Sequence, residues 1–298
     1  MGPAAPHQAG AEEAPRGGLP ADSALIRRGL ASAGVFAAAA VALAFLLFPM
    51  VAIFARVPPG KLVAQLSRPV VTDALVVSLM TSAIAQALVL LLGTPTAYLI
   101  ATRRFRGRSL AVVLVELPLV LPPAVAGIGL IAAFGRFGLL GGTLNAFGIQ
   151  LALTQAAVVI AVAYVSSPLY IRQAIASFEE VDPNLVAASR TLGAGPAKTF
   201  FRVFLPLARR GLAAGEALSF ARGLGEFGAT IMFAGSLQGV TRTLPLAIYQ
   251  EFALDFTTAL AMSALLVVVS GALLVALRVT LQWQPSRQTS RFLFAPSR

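Results

Sequence analysis

Apolar residues fall along this chain in long runs, separated by short polar segments rich in arginine. Each run approaches the roughly 20 residues that an α-helix needs to cross a bilayer. Six runs, at about 30–55, 75–101, 110–134, 153–176, 212–234 and 258–281, predict six spanning helices. The second contains Pro95, a site for a kink, and the third contains Pro118, Pro122 and Pro123. Residues 1–28 form a tail, rich in Ala, Pro and Gly and without apolar period, that reads as disordered. The first long apolar run begins near Gly29, too late for a cleaved signal peptide. Residues 29–72 hold the first helix and a loop in which Pro58, Pro59 and Gly60 predict a turn and then a short interfacial segment. The transmembrane core is expected over 73–281, with a second tail over 282–298.

Composition places the chain in the all-α, polytopic membrane class. Of 298 residues 57% are hydrophobic and only 12% are charged, with a mean hydropathy of +0.82. A soluble domain carries about twice that share of charge. There is no cysteine, and the one histidine, His7, lies in the tail. Disulfides, thiolate sites and histidine metal clusters are thereby excluded, so no metal is expected. A net charge of +11 would point to nucleic acid in a soluble protein. Here the basic residues flank apolar runs, where they orient the chain in the membrane, and no nucleic-acid partner is expected. With the N-terminus in the cytoplasm, most of the 23 lysines and arginines face inward, and only Arg56, Lys61, Arg68, Arg136 and Arg242 lie outside. The positive-inside rule therefore predicts that both termini are cytoplasmic.

The same orientation puts the longest polar-to-amphipathic stretch, 182–211, in the cytoplasm. Asp182-Pro183 is a helix start, and Leu185, Ala188, Ser189 and Leu192 share one face of the helix that follows. Gly193 ends it, since glycine accepts the left-handed cap. Pro196 starts a second helix, with Ala197, Phe200, Phe201 and Phe204 on one face, and Pro206 marks its expected end. Such short helices need cover for their apolar faces. The cover is either the protein's own membrane helices and lipid or a cytoplasmic partner.

Four charges fall within apolar runs: Glu116, Glu216, Arg222 and Glu226. Arg222 and Glu226 are four residues apart and are expected to pair on one helix face. Two stretches break the pattern of a simple span: LPLVLPPAVAG at 117–127 and GLGEFGATIMFAGS at 223–236. Their prolines and glycines permit unwinding, which membranes tolerate where backbone lines a cavity or is buried in protein. Pro122, Pro123, Glu226, Phe227, Gly228 and Thr230 are accordingly candidates for a translocation pathway. Close helix packing with no solute contact explains the same residues equally well. Ser236, Thr241, Arg242 and Thr243 are candidate donors to an anion near the outer face.

The run LVAASRTLGAGPAKTFFRVFLPLA at 185–208 resembles the cytoplasmic loop of ABC importer permeases, whose form is E-A-A-x-x-x-G-A followed by an aromatic-rich turn and L-P. Ala187, Ala188 and Ser189 align with E-A-A ahead of Gly193 and Ala194, so Ala187 stands where the family has glutamate. The strings at 117–127, 134–142, 219–236 and 241–250 resemble the molybdate branch of these permeases, and the sulfate and tungstate branches carry similar strings. The resemblance covers roughly 73–281 and implies a type I importer fold in the cytoplasmic membrane. It implies a coupling loop over 182–206, with Leu185, Ala187, Ala188, Ser189, Gly193, Ala194, Phe200, Phe201, Phe204 and Pro206 toward the ATPase subunit. It also implies an extracytoplasmic molybdate-binding protein, a second permease copy making a homodimer, and a lipid surround.

Neither of the two lysines, Lys61 and Lys198, lies in a G-x-x-x-x-G-K-[ST] loop. The resemblance accordingly implies no cofactor and no enzymatic activity on this chain, with ATP and magnesium on the partner. The alternatives are a sulfate or tungstate permease and, in a different class, a secondary transporter using Glu116, Glu216 and Glu226 as ion sites.

Overall fold

The computed structural model describes residue 2 and residues 21–282. Of the tails expected over 1–28 and 282–298, residues 21–28 instead form the first turns of α1, residue 282 ends α13, and the rest of both except residue 2 lies outside the described residues. Thirteen α-helices and no strands make up the described structure. In chain order they are α1 (Ala21–Arg56), α2 (Pro59–Leu66), α3 (Pro69–Thr102), α4 (Arg108–Val120), α5 (Pro123–Phe134), α6 (Gly141–Ala146) and α7 (Gln155–Glu179). Then follow α8 (Pro183–Thr191), α9 (Pro196–Thr199), α10 (Leu205–Leu224), α11 (Gly228–Ala234), α12 (Leu244–Leu254) and α13 (Phe256–Gln282). The chain divides into two compact units, Met1–Ala52 and Ile53–Arg298. In the first, the apolar side chains of α1 such as Phe36, Phe45 and Phe48 are exposed, as suits a helix whose solvent is lipid.

Among the described residues four helices are long and apolar enough to cross a membrane: Ala33–Arg56, Pro69–Thr102, Gln155–Glu179 and Phe256–Ala276. The expected third span is a broken pair, α4 and α5, bent by 114° at Leu121-Pro122. Pro122 and Pro123 donate no backbone hydrogen bond, so the helix restarts there in a new direction. The expected fifth span is α10 followed by the short α11. With Arg209, Arg210, Glu216 and Arg222, α10 falls short of the apolar content of a simple span. The expected interfacial segment after Pro58 is α2.

The second unit is organised on α7, which packs between α3 and α10. Gly211, Gly215 and Gly223 bring α10 against Ser177, Gln173 and Val162 of α7, too close for a Cβ at any of the three. Small residues at such a contact let helix backbones approach in lipid, where dispersion replaces the hydrophobic effect. Inside the crossing, Ser219 donates to Gln86 Oε1 at 2.9 Å and Gln86 Nε2 donates to Ser166 Oγ at 3.2 Å. This buried polar knot joins α3, α7 and α10, and each member finds a partner within it. A second core joins α5, α7 and α11 through Leu130, Ala161 and Phe233, and a third joins α3, α12 and α13 through Val71, Leu244 and Met262.

Candidate functional site

The polar stretch at 182–211 begins as its sequence requires. Asp182 caps α8, its Oδ1 accepting from Asn184 N at 2.8 Å. Gly193 ends α8 with a φ of +77°, and Ala194 N donates to Ser189 O at 3.0 Å. Ser189 and Thr199 hydroxyls meet at 3.1 Å and tie α8 to the helix that follows.

That second helix does not end at Pro206. It passes through a π turn, Phe200–Phe204, where Leu205 N donates to Phe200 O, and continues as α10 to Leu224. A π turn shifts the hydrogen-bond register by one residue, so the amide that proline lacks is not required of a regular α ladder. The turn also divides the phenylalanines expected on one face. Phe204 is only 6% exposed, and its ring lies 5.1 Å from that of Tyr98. Phe200 meets Tyr98 edge to face, ring centroids 4.8 Å apart, whereas Phe201 is 63% exposed. The open apolar surface is therefore shared among α8, where Leu185, Ala187 and Ala188 are exposed, the residue that follows it, Leu192, which is 86% exposed, and Phe201. Pro206 is exposed as well, and Ala194 half-buried.

At its far end α10 stops at Leu224, and the chain crosses a break before α11. Glu226 lies in this break, 2% exposed. Its Oε2 pairs with Arg222 Nη1 at 2.8 Å, and its Oε1 accepts from Ala229 N at 2.7 Å. The expected pair therefore forms across a helix break, not along one helix. One carboxylate neutralises Arg222 at the end of α10 and caps the start of α11.

The two broken stretches meet here. A Cβ on Gly228 would lie 2.7 Å from Pro123 Cβ, and one on Gly127 would lie 2.8 Å from Ala229 O. Pro122 and Pro123 themselves are exposed at the bend. Phe227 is half-buried, its ring 5.2 Å from that of Tyr249, beside a cavity of about 490 Å³ that Pro245, Phe252 and Leu266 also line. Thr230 is fully buried, and its hydroxyl has no partner among the described residues.

Beyond α11 the chain turns back over 235–243. The N–H groups of Val240, Thr241 and Arg242 converge on Leu237 O at 2.9–3.1 Å, and Thr241 Oγ1 accepts from Leu237 N at 2.9 Å. Thr241 thus serves the turn itself. Ser236 and Arg242 are half-buried and Thr243 is buried.

The remaining charges in apolar runs divide. Glu116 pairs with Arg172 at 3.5 Å, and Arg108 pairs with Glu179 on the same two helices, α4 and α7, around a cleft of about 300 Å³. Glu216, on α10, is half-buried and has one carboxylate oxygen without a partner among the described residues. No group of acidic or histidine side chains fit for a metal occurs among the described residues. Sequence reasoning missed the polar knot, although Gln86 in a run of apolar residues was its one visible signal.

Residues 90–282, well over half of the chain, match the family described as the inner membrane component of binding-protein-dependent transport systems. This chain belongs to that family. It is a multi-pass inner-membrane permease of the ABC importer kind, a transport subunit and not itself an ATPase. The molybdenum transport system permease protein ModB of Mycobacterium tuberculosis is 47% identical over 80% of this chain and 90% of its own length. A probable molybdenum ABC transporter permease of Haloferax volcanii is 36% identical over 83% of this chain and 90% of its own. The fold is that of a bacterial ABC transporter importing alginate, with a TM-score of 0.65 at 16% identity over 87% of this chain and 97% of the other. As in other ABC importers, the permease works with an ATPase subunit and a substrate-binding protein.

Proposed function

We propose that this permease carries molybdate inward across the cytoplasmic membrane as a homodimer, with both termini in the cytoplasm. An extracytoplasmic protein delivers the anion, and two ATPase subunits, which bind ATP and magnesium, supply the energy. The substrate reading is carried by the 47% identity to permeases named for molybdenum transport, over 80% of this chain.

The route of the work follows from helix continuity. α8 presents Leu185, Ala188 and Leu192 to a groove of the ATPase. The Ser189–Thr199 contact passes its displacement to α10. The 20 residues of α10 span roughly 30 Å, enough to cross the apolar layer. Its end is the Arg222–Glu226 pair, and beyond it lies the contact of Gly228 and Gly127 between α11 and α5. ATP-driven movement of α8 thereby swings α11 against the bend at Pro122-Pro123 and opens or closes the pathway between the two copies.

The test is reconstitution with the ATPase and the loaded binding protein in proteoliposomes. Molybdate uptake should require ATP, and sulfate should compete poorly. Gly193→Pro should abolish stimulation, because proline cannot adopt the +77° φ of that cap. Uptake driven by a proton or sodium gradient without the ATPase would sink the reading, and preferential sulfate or tungstate transport would sink its choice of anion.

A further inference from the structure

The turn at 235–243 holds several hydrogen-bond donors that nothing among the described residues receives. Ser236 Oγ, Arg242 Nε and Thr243 Oγ1 are buried atoms without a partner. Thr243, 4% exposed, stands immediately before α12, whose first amide, Leu244 N, is already taken by Ser78 Oγ at 2.6 Å. Arg242 reaches back across the turn, so it and Ser236 are neighbours: Nη2 donates to Ser236 O at 3.4 Å and Nη1 to Gln238 Oε1 at 3.5 Å. Both contacts are long and both acceptors are neutral. No carboxylate lies within ion-pair distance of Arg242 among the described residues. The turn is nevertheless held in shape, by the amides converging on Leu237 O and by the left-handed Gly235 and Gly239.

A guanidinium can only donate, and the two free hydroxyls, one on the residue it reaches across the turn and one on the next residue of the chain, can donate as well. The missing partner is therefore rich in acceptors and negatively charged. A tetrahedral oxyanion, deprotonated at neutral pH, has that chemistry, and arginine binds such groups through two parallel N–H bonds. We infer that Ser236, Arg242 and Thr243 form an oxyanion subsite on the permease itself, a station between the binding protein and the pathway. Arg242 and Ser236, being half-buried, give it an open side. The inference rests on the function proposed above, which supplies both the anion and the outward orientation of this turn.

The experiment uses the permease–ATPase complex in lipid nanodiscs without binding protein, and measures bound molybdate by equilibrium dialysis and elemental analysis. Weak, saturable binding is expected, displaced by tungstate. Arg242→Gln should weaken it about tenfold or more, the share that a hydrogen bond to a charged group supplies. Thr243→Val and Ser236→Ala should each weaken it less, and Arg242→Lys should fall between wild type and Arg242→Gln. Co-elution of each variant with the ATPase checks assembly, and the two hydroxyl variants carry the test if Arg242→Gln does not assemble. Absent binding to wild type, or unchanged binding to the variants, overturns the subsite. So does an Arg242→Gln complex that keeps its anion but no longer holds the binding protein, since the guanidinium would then serve a protein carboxylate. Uptake by wild-type proteoliposomes separates the two readings. Uptake without binding to the complex sinks the subsite alone, whereas no molybdate uptake sinks the function and the subsite with it.

Discussion

Arg222 and Glu226 face each other at 2.8 Å across the end of α10, and Glu226 also receives Ala229 N, so a single carboxylate joins two helices that the backbone separates. Glu226→Gln keeps the cap on α11 and removes the charge opposite Arg222. Because Arg222 is about a third exposed, the expected loss is on the order of 2 kcal/mol, below the full value for breaking a buried pair. Unfolding in a denaturing detergent measures it. The double variant with Arg222→Gln should recover part of the loss, and additive single effects would show that the pair is not coupled.

The contact between α5 and α11 depends on missing side chains. Gly228→Ala places a methyl 2.7 Å from Pro123 Cβ and should cost about 1–3 kcal/mol by overpacking. Gly129, on α5, has open space where its Cβ would be. Gly129→Ala should therefore be neutral, or stabilising by up to ~1 kcal/mol through helix propensity. Equal effects from the two substitutions would contradict the close approach. Uptake should fall for Gly228→Ala alone.

Exposure over 182–206 separates residues that hold the fold from those proposed to meet a partner. Phe204→Ala empties the ring cluster with Tyr98 and Phe178 and should cost about 3 kcal/mol or more. Leu192→Ala should change stability by less than about 0.5 kcal/mol, as exposed positions do. It should nonetheless reduce co-purification with the ATPase. A Leu192→Ala permease that retains full ATPase association would remove α8 from the interface.

Asp255, just ahead of α13, pairs with Arg68, which stands just ahead of α3, at 2.9 Å. The Thr258 hydroxyl, then the Thr258 amide, and after them Arg68 hold its carboxyl below the ordinary 3.8. A depressed carboxyl stabilises the folded state above its unfolded pKa and loses that contribution as pH falls through the folded value. The clasp should thus be intact at pH 5 and above and should loosen below the ordinary range, seen as faster hydrogen exchange of the Thr257 and Thr258 amides. Asp255→Asn should abolish this pH dependence, and an unchanged profile in the variant would exclude Asp255 as its source.

Much of the site could be read from single residues because backbone chemistry is local. Pro122-Pro123 and Gly228 mark the two breaks, and Asp182 and Gly193 mark both ends of α8, since each acts within a turn of itself. The continuation of the helix through Pro206 was hidden. Proline ends a regular α ladder, and the register shift that admits it depends on packing around Phe200–Phe204. That shift also explains why Phe201 leaves the face of Phe200 and Phe204. The partners of Glu116 and Gln86 were hidden for another reason: Arg172, Ser166 and Ser219 come from other helices, and only tertiary folding joins them.

The π turn amounts to one surplus residue in an otherwise continuous rod. Deleting a residue from Phe200–Phe204 would restore the regular spiral and rotate everything before it by about 100° relative to α10. α8 would then offer a different side, and Phe200 would turn away from the ring of Tyr98 while the contacts of α10 beyond Leu205 stay in register. The aim of the surface proposed to meet the ATPase is in this sense a dial with discrete settings. Insertions and deletions at this turn, more than substitutions on α8 itself, are the changes by which such a permease could come to fit a differently shaped ATPase.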